Sequence, residues 1–359
     1  MRSIHVADVG DGLCMALHTI SNETLQVDCG GESSRLAFYG LNNILSRFLH
    51  LDYFILSHFH VDHYNGLLYA STYPPKNLPF RVREVYYPRI PKFRERKRFL
   101  HCMFAMNARV FGAETGVREY DFLKAIGRLS RIPFRHRPLS KCDLINISGS
   151  GFEVLWPPAV IDDKLTLSVI RKALQDFESA LEEDEETRRL YDSIREEGLW
   201  VYLEGGEGKE IKEYSDRQTF PIRRERKLPP IVRRANKSLA DAANHMSLVL
   251  CEDNRFLFWG DVEGFEIKQI VDELVSRSRK DFYIFIAPHH GTHWHSSLAN
   301  LRCVWSVASN GKKLFSRMKP FKSISLRTLA TFINGEIIIP IYPLPGLWGV
   351  TSSWFRSLS

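Results

Sequence analysis

"LSHFHVDHYNG", residues 56–66, places three histidines and an aspartate within six positions, at the end of the apolar run "LDYFILSH". A folded chain rarely carries that much polarity at the end of a buried strand without a partner to satisfy it. In an extended segment, residues two apart point the same way. His58 and His60 can therefore reach one metal ion. Past the strand end the chain turns, and Asp62 and His63 can reach a second. Imidazole with carboxylate suits zinc, and also manganese or iron. Taken alone, the stretch also fits a hydrogen-bonded polar loop.

Two later stretches decide between these readings. "FLFWGD" ends an apolar strand on Asp261, and "FYIFIAPHHGTHWHSS" ends another on His289 and His290. Three strand ends that each present metal ligands imply convergence on one centre. On an extended chain His289 and His290 alternate in direction, so the two are expected to divide roles.

The chain has 359 residues, 44 % of them apolar and 25 % charged, which suits a globular protein with a sizeable core. The formal net charge is +7 and the isoelectric point about 9.0. That excess is compatible with polyanionic partners. The six cysteines are widely and irregularly spaced, with no CxxC pair, which predicts free thiols in a reducing compartment and a cytoplasmic protein. No stretch approaches the roughly 20 apolar residues of a membrane span, and the N-terminus carries no apolar signal core.

Strand-like runs "LCMALHTI" and "ETLQVD" lead to "DCGG", where Gly30 and Gly31 permit a tight turn. "RLAFYGLNNILSRFL" has helical spacing, with Leu36, Tyr39, Leu45 and Phe48 on one side. From residue 244 strands dominate again, with one helix in "EGFEIKQIVDELVSRS". Strands and helices at both ends of the chain predict a two-sheet sandwich covered by helices. Residues 71–240 separate the halves. They include "KNLPFRVREVYYPRIPKFRERKRFLH", with nine Lys/Arg against two Glu, and an acid-rich helix within 159–200. Residues 201–238 are polar and basic and show no strong core pattern.

"DVGDGL", "DCGG", "SHFHVDH", "NHMSLVL", "WGDVE" and "HHGT", in that order, resemble the metallo-β-lactamase superfamily. Within it they are most similar to the nuclease-like domain of the competence DNA-uptake channel protein. The resemblance covers about residues 4–70 and 244–311. It implies a metallo-β-lactamase-like αββα four-layer sandwich with a large insertion: residues 1–70 as the first half, 71–240 as a partly fold-completing insertion and 241–359 as the second half. It also implies two divalent metal ions, zinc or manganese. His58 and His60 would hold one, Asp62 and His63 the other, Asp261 would bridge them and His290 would complete the second site. His245, just before the "SLVL" strand, is the candidate for a further ligand. Asp62 and His289 are the candidate catalytic residues. Thr292 stands where this subgroup has serine, and Leu13 where it often has a small polar residue.

Asp28 is expected to orient a ligand histidine, and Asp8 to do similar work or cap a turn. Thr292 and Ser296 are candidate substrate contacts. His293, His295 and Ser297 are expected near the cleft, and Trp294 either stacks on a base or is half-buried. Arg94, Arg96 and Lys97, with Arg81, Arg83 and Arg98, lie among aromatic residues and are candidates for guiding a nucleic-acid backbone. The function implied is a metal-dependent phosphodiesterase or nuclease that attacks through a dinuclear-metal hydroxide. Two other classes stay open: a hydrolase of a small ester, thioester or lactam, and a non-catalytic protein that uses residues 71–240 to bind a protein partner.

Overall fold

The computed structural model describes residues 2–48, 50–74, 80–115, 120–130, 132–147, 149–197, 199, 202, 210–211 and 227–341. Its first sheet runs, edge to edge, β15 (Ile337–Pro340), β1 (Ser3–Val6), β2 (Cys14–His18), β3 (Thr24–Cys29), β4 (Leu51–Ile55), β5 (Phe80–Pro88), β6 (Phe134–Leu139) and β9 (Glu210–Ile211). The second runs β14 (Ser325–Ala330), β13 (Arg302–Ala308), β12 (Asp281–Ile286), β11 (Phe256–Phe258), β10 (Val249–Glu252), β8 (Ser150–Trp156) and β7 (Leu144–Ile147).

Three apolar layers glue the structure together. Between the sheets lie Val6, Met15, Val27, Ile55 and Tyr86 from the first and Leu250, Phe258, Ile284 and Val307 from the second. Alternate residues of the same strands, such as Phe54, Val85 and Tyr87, point the other way. They meet α1 (Ser34–Leu45), α2 (Asn65–Thr72), α3 (Arg96–Thr115), α4 (Phe122–Leu129), α5 (Lys164–Glu183), α6 (Glu185–Glu197) and α7 (Pro230–Asn244). On the outer face of the second sheet, Leu257, Trp259 and Phe285 pack against α8 (Gly264–Ser276). Strands buried on both faces read as continuous apolar runs, which is why "DYFIL" and "FYIFI" show no alternation. The result is the αββα four-layer sandwich. Each large side chain in these layers contributes ~1.5–3 kcal/mol of burial.

Several local expectations change. In α1 the buried residues are Ser34, Ala37, Gly40, Leu41, Ile44 and Leu45, whereas Leu36 and Tyr39 face solvent. The helix lies so close to the sheet that a Cβ on Gly40 would come 2.5 Å from Val9, so small residues line its inner face. The acid-rich helix is two helices, α5 and α6, separated at Asp184. The stretch 201–238 lies mostly outside the described residues, but its end belongs to α7, which buries Val232, Ala235, Leu239 and Ala242. Helical spacing is present there, and alanines carry half of it. Residues 80–156 supply strands to both sheets, and α5 and α7 pack on each other over the first.

Strand direction places the site. β3, β4, β5 and β6 are parallel, and so are β11, β12, β13 and β14. The carboxyl ends of each set therefore share one edge, and loops leaving them form one crevice. Across it, the Leu248 amide donates to the Ser57 carbonyl at 2.8 Å, and the Ser309 hydroxyl to the Gly12 carbonyl at 2.7 Å.

Candidate metal centre

His58 to His63 follow β4, Asp28 closes β3, Asp261 follows β11, and His289 and His290 follow β12. Glycine makes this approach possible. A Cβ on Gly30 would lie 1.6 Å from the Asp62 carbonyl oxygen, so only glycine lets the end of β3 touch the histidine loop. Asn65 clamps the same contact, accepting from the Gly31 amide at 3.2 Å and donating to the Gly31 carbonyl at 2.9 Å. From above, Asn107 of α3 donates to the Phe59 carbonyl at 2.6 Å and to the Tyr64 hydroxyl at 2.7 Å.

Among the described residues three groups of donors result, each with ligand atoms within 4.8 Å of one another: His58, His60 and Asp62; His58, His63 and Asp261; and Glu263, His289 and His293. His58 belongs to two of them. Its ring is nearly parallel to that of His60, with centroids 6.3 Å apart, as same-side projection requires. Asp261 Oδ2 sits 3.5 Å from His63 Nε2, 3.3 Å from His290 Nε2 and 3.9 Å from His289 Nε2. Asp62 pairs with His60, so His60 and Asp62 fall together.

His63 and Asp28 share a hydrogen bond of 2.8 Å between Nδ1 and Oδ2 in full burial. Burial opposes a charged imidazole, but the Asp261 and Asp28 carboxylates outweigh it and hold His63 well above its ordinary value. Because Nδ1 is engaged by Asp28, Nε2 turns to the centre and faces Asp261. The Ser57 amide, at 2.7 Å, and its hydroxyl also bond Asp28. Burial, then the neighbouring His63, pushes His58 well below its ordinary value, leaving it neutral with a free lone pair. Against burial, the imidazoles of His290, His289 and His63 keep Asp261 ionised.

His290 is buried. Its Nδ1 donates to the Ser309 carbonyl at 3.1 Å, and its carbonyl accepts from Asn310 at 3.1 Å. The chain here is a turn rather than a strand: both histidines have left-handed backbones, with φ of 47° and 57°, followed by Gly291 at 84°. Their rings stand at 89°, so they part in direction, but through the turn and not through strand alternation. His289 stacks on His293 with centroids 4.1 Å apart. Burial lowers His293 to about 4, with His289, Arg317 and Lys319 adding to it.

Other named residues lie elsewhere. His245 turns to Glu266, at 2.5 Å, and enters none of the three groups; its neighbour Asn244 approaches Glu263 and His289. The Thr292 hydroxyl donates to the His289 carbonyl at 2.7 Å and meets His293 Nδ1 at 3.1 Å, which braces the turn. Ser296 is exposed at the start of a short 3-10 turn. Ser297 bonds His295. Trp294 packs edge-on against Phe321. Asp8 accepts from the Gly10 amide, and Leu13 is core.

The basic stretch is divided. Arg81 and Arg83 lie at the start of β5, on the edge opposite the site, and Arg83 pairs with Glu23 and Asp52. Arg94, Arg96 and Lys97 follow the carboxyl end of β5, with Arg94 and Lys97 exposed and Arg96 half-buried. Arg98 pairs with Glu95 and Glu178.

The donor set fits divalent metal. His60 Nε2 is buried and has no hydrogen-bond partner among the described residues, a loss of about 1–3 kcal/mol that coordination would remove. The neutral His58 beside the ionised Asp261, with His63 oriented by Asp28, is a donor set that suits zinc or manganese. Asn107, Ser309, Asn310 and Glu263 were not read from sequence. A lone asparagine inside "LHCMFAMNARVF" was the one visible signal, because a polar side chain on an apolar helix needs a partner.

No protein-family model and no curated protein matches the chain. Solved structures similar to it include a β-lactamase domain protein from Burkholderia ambifaria, at 21 % identity over 40 % of each chain with a TM-score of 0.24. Another is the metallo-β-lactamase fold protein YhfI from Bacillus subtilis, at 13 % identity over 42 % of this chain and 52 % of that one, with a TM-score of 0.25. A third is ST1585 from Sulfolobus tokodaii, an archaeal metallo-β-lactamase superfamily protein, at 15 % identity over 44 % and 56 %, with a TM-score of 0.26. The match thus spans between 40 % and 56 % of these proteins' lengths. The layers and strand order, rather than this likeness, carry the fold, and the donor geometry carries the site.

Proposed function

We propose that this protein is a metal-dependent hydrolase that cleaves phosphodiesters of nucleic acid. The observation that carries the reading is the position of Asp261, whose Oδ2 lies within 3.5 Å of His63 and 3.3 Å of His290, beside a second donor group that shares His58. Divalent ions held there supply Lewis-acid polarisation of a phosphate and a water acidic enough to attack at neutral pH. His58, His60 and Asp62 would hold one ion, and His63, Asp261 and His290 the other. Asp28 fixes the His63 tautomer, and Ser309 fixes that of His290. His289, partly exposed and 3.9 Å from Asp261, would move a proton at the leaving oxygen.

The net charge of +7 favours a phosphate over an uncharged ester, thioester or lactam. Among the described residues no helix is long and apolar enough to cross a membrane. The six free cysteines support a reducing, cytoplasmic setting. The test is incubation of metal-loaded protein with single-stranded DNA, duplex DNA, RNA, a chromogenic phosphodiester, and ester, thioester and lactam probes. Phosphodiester cleavage that disappears in Asp261→Asn is expected. Turnover of a carbonyl probe alone would replace the reading with the small-molecule one.

A further inference from the structure

The segment after β13 carries "KKLFSRMKPFK", residues 312–322, with five cations and no acid. Lys312, Lys313, Arg317, Lys319 and Lys322 are all exposed, and none has an ion pair among the described residues. This differs from Arg83 and Arg98, whose charges are neutralised within the chain. Five like charges in eleven residues repel one another.

The segment is firmly placed. α9 (Lys312–Phe315) is capped by Asp11, whose Oδ1 accepts from the Gly311 amide at 2.9 Å and the Leu314 amide at 3.3 Å. Phe321 is fully buried against Phe285 and Trp294. Between these anchors the Lys319 amide donates to the Gly291 carbonyl at 2.9 Å, immediately after His289 and His290. A Cβ on Gly291 would lie 3.5 Å from Met318 Cγ. The cations therefore sit on a rigid platform packed against the loop that carries the ligand His290.

We infer that Lys312, Lys313, Arg317, Lys319 and Lys322 form a cationic rim that holds the phosphate backbone of a nucleic-acid strand as one of its phosphodiesters enters the metal centre. The inference rests on the phosphodiesterase reading for the centre itself, but names the surface that selects a polymer over a small phosphate. A polyanion fits because it offers several linked phosphates to a cluster of like-charged side chains. Each neutralised phosphate also releases counterion, which makes such contacts strongly dependent on salt.

The test is the triple variant Lys312→Glu, Arg317→Glu, Lys319→Glu, titrated with a labelled single-stranded oligonucleotide by fluorescence anisotropy over a range of salt. Metal content and unfolding midpoint report whether the variant is folded. The expected result is wild-type metal content, affinity lower by about tenfold or more at low salt, and a log–log salt slope shallower by about 2, since each lost single-strand contact removes about 0.7. Unchanged affinity and slope would overturn the rim. If wild type still cleaved the chromogenic phosphodiester, the reading of the centre would survive that result. Wild-type protein that binds polyglutamate tightly and ignores the oligonucleotide would make the rim a protein-docking surface and overturn the inference. Oligonucleotide binding lost in the variant, in a protein that cleaves no phosphodiester, would support the rim and sink the catalytic reading alone.

Discussion

Asp28 Oδ2 accepts the Nδ1 hydrogen of His63 at 2.8 Å, and neither side chain reaches solvent. One residue comes from the end of β3, the other from the turn after β4. The bond holds a donor nitrogen toward Asp261. Asp28→Asn keeps the shape but offers an amide where the imidazole needs a carboxylate. Metal affinity is expected to fall about 10–100-fold, with little change in fold. A competition titration against a chelator measures this, and equal affinities would show that the pair does not position the ligand.

The two neighbouring histidines should separate in their effects. His290 is buried, held by Ser309 and 3.3 Å from Asp261, so His290→Ala should lose bound metal. His289 is partly exposed and stacked on His293, so His289→Ala should keep metal and lose turnover. Elemental analysis beside rate measurement decides it. Equal metal loss in both would reverse the assignment.

Gly30→Ala tests the close approach that forms the site. Its Cβ would stand 1.6 Å from the Asp62 carbonyl and 2.4 Å from the His63 Cα, so the histidine loop must move. Metal binding should be lost while far-ultraviolet circular dichroism stays near wild type, because the layers do not depend on this contact. Retained stoichiometric metal would count against the geometry.

Arg109 of α3 is buried against Asp184, with Nε to Oδ2 at 2.9 Å, and Asp184 also accepts from the Thr187 amide at the start of α6. This pair steadies the helix that carries Asn107. Burial opposes ionisation of Asp184, but Arg109 and Thr187 hold its carboxyl below the ordinary 3.8. A depressed value means the stabilisation is complete above the ordinary value and is lost as pH falls through the folded one. Asp184→Ala should therefore cost about 2–3 kcal/mol at neutral pH, somewhat less than a fully enclosed pair. Urea unfolding at neutral and acid pH checks it. The difference from wild type should shrink as pH falls below the ordinary carboxylate value and through the depressed one; a constant difference would mean that charge is not the cause.

How much was legible beforehand follows from how far each effect reaches along the chain. The histidine loop and the strand ends at Asp28, Asp261 and His290 were readable because each is a local pattern: apolar run, then polar cluster. The inner face of α1 was not, because large residues mark a core only when there is room for them. Close approach to the sheet selected Ala37 and Gly40 and left Leu36 and Tyr39 outside. α7 escaped for the same reason, with alanines as half of its buried stripe.

The sequence by itself determined which residue types end each strand, and therefore that ligands gather where parallel strands finish. It also determined the composition of the buried layers, since strands covered on both faces must be apolar throughout. Only the tertiary structure decided which groups meet. His245 and Asn244 are adjacent in sequence, yet the end of α7 turns the first toward Glu266 and the second toward Glu263 and His289. Arg83 and Arg94 lie eleven residues apart in one basic stretch, yet β5 carries them to opposite edges of the sheet. Lys319, far from the histidine loop after β4 in sequence, is bonded through its backbone to Gly291 beside His290. Side-chain chemistry is written locally, but charge and coordination act through space, and distances in space are set by how the layers pack.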